Sequence, residues 1–136
     1  MNPIFKNILA IIAGFVLGSV VNYCLIMLSA YIIPPPEGAD ITTMEGLQAS
    51  IHLFEPKHFI MPFLSHAIGT LTGAFVCVKI AASSHLAMGM VTGLLFFIGG
   101  CSAVMMLSSP VWFSVLDLVV AYFPMAWLGV KLGGKG

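Results

Sequence analysis

NILAIIAGFVLGSVVNYCLIMLSAYII, residues Asn7 to Ile33, runs for twenty-seven residues without one Asp, Glu, Lys or Arg. A helix needs about 20 apolar residues to cross a hydrocarbon core about 30 Å thick. The run also exceeds the apolar core of a secretory signal, about 7–15 residues, and reads as an uncleaved span. It meets Pro34-Pro35-Pro36, which stops a helix because proline has no N–H and restricts the residue before it.

The same reading extends down the chain. Three further apolar segments lie at about 59–82, 86–107 and 111–132, with the first span at about 7–33 and a long loop at 34–58. The links at 81–85 and 108–110 are short, and short links set neighbouring helices antiparallel. Of the 136 residues, 60% are apolar and 7% charged, against about 45–50% and about 25% in soluble domains. That excludes a soluble globular enzyme. Zero net charge and the lack of arginine exclude a nucleic-acid partner, which needs a basic face. The expected fold is all-α: one integral membrane domain over 1–136, an antiparallel four-helix bundle bathed in membrane lipids. Cys24, Cys77 and Cys101 are far apart within apolar runs and read as small core residues with free thiols.

Charge placement orients the bundle. With four spans, Lys6, Lys79, Lys131 and Lys135 share one side, while Glu37, Asp40, Glu45 and Glu55 share the other, Lys57 being the exception. Lysines favour the cytoplasmic side, so both termini are expected there and the 34–58 loop outside. Within that loop, Thr42 or Thr43 can cap a short helix reaching about Leu53. Its Met44, Leu47, Ile51 and Phe54 recur at the spacing of an amphipathic surface helix. Trp112 and Phe113 at one interface and Trp127 near the other fit an aromatic belt.

Apolar side chains do not drive helix association in lipid; close backbone approach at small residues does. Gly14/Gly18, Gly69/Gly73 and Gly89/Gly93 are GxxxG pairs, expected to pack helices. The inward stripes expected are Gly14, Gly18, Asn22, Leu25 and Ser29; then Pro62, His66, Gly69, Thr70 and Gly73; then Gly89, Gly93, Phe96 and Gly100. In the fourth span the stripe is Ser114, Asp117, Ala121, Pro124 and Leu128. Pro124 leaves the Val120 carbonyl unpaired, so a kink is expected there.

Asp117 is the one acid inside a span, and an intramembrane acid marks a functional candidate. Counting about 1.5 Å per residue from the outer ends places Asn22, His66 and Asp117 at a shared depth of roughly 10–16 Å. Ser65 and Thr70 flank His66 and complete a candidate polar layer. Two readings of Asp117 compete: a carboxylate orienting His66, or a cap in Ser114-x-x-Asp117 at a helix start, with Pro110 offering a rival first helical position. Asn22 reads as interhelical glue. His52, Glu55 and His58, as HxxExxH, carry metal-binding residue types, but steps of three with Pro56 between them suit one helical face poorly. They are weak candidates, and neither metal nor cofactor is expected.

Ile33-Pro-Pro-Pro-Glu-Gly-Ala-Asp40, HLFEPKHFIMPFLSHAIGTLTGAF (52–75) and SPVWFSVLDLVVAYFPMAWLGVKL (109–132) together resemble a group of small, uncharacterised four-span bacterial membrane proteins. The resemblance implies the bacterial inner membrane and brings no activity with it. The motifs of small multidrug transporters and fluoride channels do not match, nor is there a P-loop, a GxGxxG or a GxSxG. The function expected is non-enzymatic: binding or conducting a small solute or lipid through the outward-facing polar layer, with a homo-oligomer plausible at this size. An accessory protein packing an unspecified partner through its glycine faces is the alternative. A membrane enzyme using His66 and Asp117 as base and orienter comes third.

Overall fold

The structure, a computed structural model, describes residues 1–134; Lys135, counted among the cytoplasmic lysines above, lies outside the described residues. Every regular element among the described residues is helical. Helix α1 spans Pro3–Ile32, α2 Met44–Ser50, α3 Ile60–Ile80, α4 His85–Leu107, α5 Val111–Val120 and α6 Phe123–Leu132. Four stretches are long and apolar enough to cross a membrane: α1, α3 with the turn before it from Pro56, α4, and α5–α6 together.

Each boundary has a local cause. Asn2 starts α1 by accepting the Ile4 N–H at 2.8 Å, with Pro3 in the first turn where no N–H is needed. The prolines at 34–36 end it. At 30 residues, α1 is about 45 Å long, longer than the roughly 30 Å of a bilayer core. Thr43 caps α2, its hydroxyl accepting the Gly46 N–H at 3.0 Å. Thr42 instead bonds Asp40, donating its hydroxyl at 2.6 Å and its N–H at 3.0 Å. Two 3-10 turns, Ile51–Leu53 and Pro56–Phe59, lead into α3.

The Asp40 turn anchors this loop. Its backbone N–H donates to the Ser50 hydroxyl at 3.0 Å, and its carboxylate packs on Gly46, where an added Cβ would lie 2.5 Å from an Asp40 oxygen. The Thr42 hydroxyl, then the Thr42 N–H, hold the Asp40 carboxyl below its ordinary 3.8. A lowered pKa stabilises the fold fully above the unfolded value and loses that contribution as pH falls through the folded one. The loop is therefore expected to stay resistant to proteolysis from neutral pH down to about 4, and to become cleavable at still lower pH. Asp40→Asn should be cleavable at all these pH values; equal resistance in the variant would show that the charge does not matter.

α3 lies at the centre, against α1, α4 and α6. Its contact with α1 is backbone on backbone. A Cβ added at Gly69 would sit 2.9 Å from the Gly18 carbonyl oxygen, and one at Gly73 2.9 Å from the Gly14 carbonyl oxygen. Phe96 of α4 closes the same seam from the side, its ring within 2.8 Å of a Cβ placed on Gly73 and 5.0 Å from the Phe15 ring. Gly89 faces Val130 and Gly93 faces Ala126, so α6 rests on α4. Gly129, not singled out in the sequence, lets α6 approach Leu71, Ala74 and Phe75 of α3. Asn7 ties α1 to the α3–α4 turn: its carbonyl oxygen accepts the N–H groups of Ala82 at 2.8 Å and Ser83 at 3.3 Å, and its amide donates to the Ser83 hydroxyl at 3.2 Å.

The structure corrects several expectations. Cys24 is exposed, because α1 buries only the strip of Ala10, Gly14 and Gly18. Phe113 is buried rather than part of an interfacial belt; its ring packs 4.6 Å from that of Phe59, leaving Trp112 exposed beside them. The fourth span breaks at Ala121–Tyr122, one turn before Pro124. Beyond the break the buried stripe is Tyr122, Ala126, Gly129 and Val130, while Pro124 and Leu128 face out. The kink thus rotates the inward face by about one residue.

Candidate polar site beneath the outer loop

α3 brings His66 and α5 brings Asp117 to one point. The His66 Nδ1 lies 2.9 Å and 3.0 Å from the two Asp117 carboxylate oxygens. Tyr122 donates its hydroxyl to Oδ2 of Asp117 at 3.1 Å, and its ring stacks on the His66 imidazole with centroids 5.9 Å apart. Asp117 is 2% exposed, so the carboxylate depends on these two donors. Where the carboxylate only accepts, the hydrogen sits on Nδ1, and Nε2 lies on the side of the ring away from Asp117. Among the described residues Nε2 has no hydrogen-bond partner.

The capping reading of Asp117 fails. α5 starts at Val111 with Pro110 at the cap position rather than the first helical one. Ser114 and Asp117 therefore stand inside the helix, and Asp117 receives side-chain donors instead of a helix-start N–H.

The remaining polar residues take different places. Ser65 and Thr70 are buried, but their hydroxyls donate to the carbonyls of Pro62 and His66 on their own helix, each at 2.7 Å. They do not join the pair. Asn22 sits beside Gly69, where an added Cβ would be 3.0 Å from the Asn22 Cβ; its buried Oδ1 has no partner among the described residues, so it does not act as glue within this chain. His52 lies in the turn after α2. His58 accepts the Glu55 N–H on Nδ1 at 2.8 Å, and Glu55 lies 3.6 Å from Lys57 Nζ. These residues close the turn before α3. Among the described residues no three His, Cys, Asp or Glu side chains are grouped to hold a metal ion.

Above the pair lies a cavity of about 620 Å³. His66, Asp117 and Gly100 contribute to it from α3, α5 and α4, Ile26, Met27 and Ala30 from α1, and Leu47, Ile51 and Phe54 from the outer loop. Gln48 of α2 fixes that loop by donating to the Met106 carbonyl at 2.6 Å. Most of the lining is apolar. Tyr122 is the member of the site that the sequence did not reveal. Gly100 makes room for it, since an added Cβ there would lie 2.5 Å from its ring carbon Cζ. Comparison with family models, curated proteins and solved structures yields no match to this chain.

Proposed function

We propose that the chain forms one four-span domain, an antiparallel bundle in the bacterial inner membrane with both termini cytoplasmic, and that it binds a small amphipathic molecule or lipid in the cavity under its outer loop. The pairing of Gly14 with Gly73 and of Gly18 with Gly69 supports opposed directions for α1 and α3. The Asn7 bonds to Ala82 and Ser83, and the close approach of Gly133 to Val78, gather Lys6, Lys79 and Lys131 toward one end. The acidic loop covers the other, which supports the orientation by lysine placement.

The observation that carries the binding reading is the cavity itself, an apolar chamber with one oriented histidine exposed to it. Concave apolar sites of about 300–1,000 Å³ with a few convergent polar groups are the usual form of small-ligand sites. The accessory alternative is less favoured, because Gly14, Gly18, Gly69, Gly73, Gly89 and Gly93 all abut helices of this same chain. Exposed Ile8, Ile12, Val16 and Val20 give α1 an apolar outer face suited to lipid.

The test uses the apolar fluorophore 1-aminoanthracene and the purified full chain in detergent. Saturable fluorescence enhancement is expected, weakened at least tenfold by Ala103→Phe, which fills the cavity from α4. Identical binding by the variant, or none by the parent, would overturn the reading.

A further inference from the structure

The chemistry of the cavity narrows its ligand. No Lys, Arg or Glu lines it; its ionisable groups are His58 near the mouth and the His66–Asp117 pair at the floor. With His66 neutral, a phosphate or carboxylate head at that floor would bring a second anion against Asp117 with no cation to offset it, and uncompensated charge in an apolar chamber is strongly unfavourable. A pure hydrocarbon would leave the His66 Nε2 without a partner, at a cost of about 1–3 kcal/mol. A hydroxyl meets both constraints. It is neutral, it donates to a bare ring nitrogen, and it accepts from a protonated one, so it suits Nε2 in either state.

The walls set the rest of the molecule. Ile26, Met27 and Ala30 of α1, with Ala103, Val104 and Leu107 of α4, offer only apolar contact. On the α1 side the wall is a single helix whose outer face is itself exposed and apolar. A ligand whose apolar body extends from the floor along these helices stays in contact with the chain or with lipid throughout.

We propose that the cavity takes a neutral lipid alcohol, its hydroxyl seated against the His66 Nε2 and its hydrocarbon along α1 and α4. The proposal rests on the reading of the cavity as a binding site. It predicts discrimination among molecules of equal chain length.

Displacement of 1-aminoanthracene from the full chain by 1-hexadecanol, hexadecane and palmitate at pH 8 tests it. 1-Hexadecanol is expected to displace the probe at least tenfold more effectively than either of the others. His66→Asn supplies the second arm. Its amide nitrogen can take the place of Nδ1 and donate to Asp117, while Nε2 is lost, so the preference for the alcohol should fall to within about twofold of hexadecane. If the probe binds but the three molecules displace it equally, or palmitate prevails, the ligand class is wrong while the cavity reading stands. If the parent discriminates and His66→Asn discriminates equally well, the seat of the hydroxyl is not His66 and the proposal fails. If the probe does not bind the parent chain at all, the cavity reading falls first and the proposal with it.

Discussion

Gly18→Val is expected to destabilise the folded chain by about 3 kcal/mol, the upper part of the range for overpacking a close contact, whereas Gly99→Val should change stability by less than about 0.5 kcal/mol. The two substitutions add the same side chain to the same class of helix. They differ in what it meets. At Gly18 even the first added carbon would lie 2.5 Å from the Gly69 carbonyl oxygen, 2.7 Å from the Phe96 ring and 3.0 Å from the Gly73 Cα. Two of those three neighbours are backbone and cannot turn aside, so α1 must move off α3. In the bilayer proposed for this chain, lipid competes equally well for apolar surface, so close packing is what holds these helices together. Separation by an ångström or two loses dispersion contacts along the whole seam. At Gly99 nothing lies within 4 Å. Unfolding in rising mole fractions of dodecyl sulfate, followed by tryptophan fluorescence, measures both. Equal loss in the two variants would show that the α1–α3 seam does not carry the fold.

That contrast also marks what the sequence makes legible. Long apolar runs define the four apolar helices because no soluble element needs them; the prolines at 34–36 mark the end of the first, and Thr43 the start of the short loop helix α2, through local backbone chemistry. Gly14, Gly18, Gly69 and Gly73 stand out by spacing alone. Gly129 and Gly133 share that spacing, but they lie beyond the break at Ala121–Tyr122, where the local sequence does not say which helix they meet; in the fold they lie against Ala74 and Val78 of α3. The direction of that break is likewise absent from the local sequence. Pro124 announces a kink, but how the chain beyond it turns is decided by which helices stand nearby. Depth along the spans brings His66 and Asp117 to one layer, and the structure adds that their side chains touch. Tyr122 was beyond reach. On an unbroken helix a residue five positions on points about 140° away, so nothing linked it to Asp117 until the break turned it inward. Asn22 shows the opposite failure. A mid-span amide ordinarily bonds across helices, yet among the described residues its Oδ1 has no partner, and Gly69 opposite it has no side chain to offer.

Asp117→Ala is expected to be the most damaging single change at the site. It leaves the His66 Nδ1–H and the buried Tyr122 hydroxyl without their acceptor, at about 1–3 kcal/mol for each group left unsatisfied, so a loss of up to about 2–6 kcal/mol. Asp117→Asn should cost less than about 2 kcal/mol, because the amide oxygen still accepts from Nδ1 and the amide nitrogen can donate to the tyrosine oxygen. Tyr122→Phe keeps the ring against Gly100 and removes only one bond to the carboxylate, worth about 1.5–3 kcal/mol when the acceptor is charged. The cycle of His66→Ala, which removes the ring donor outright, Tyr122→Phe and the double variant then asks whether the two donors act through one carboxylate. If they do, the first loss alters the worth of the second, and the coupling should exceed about 0.5 kcal/mol, the limit within which independent sites add. Dodecyl sulfate unfolding of the four chains in the cycle supplies the numbers. Additive losses, or an Asp117→Ala chain that unfolds with the parent, would mean that the pair is an ornament of the packing and that the oriented histidine on which ligand recognition depends is not held in place by Asp117.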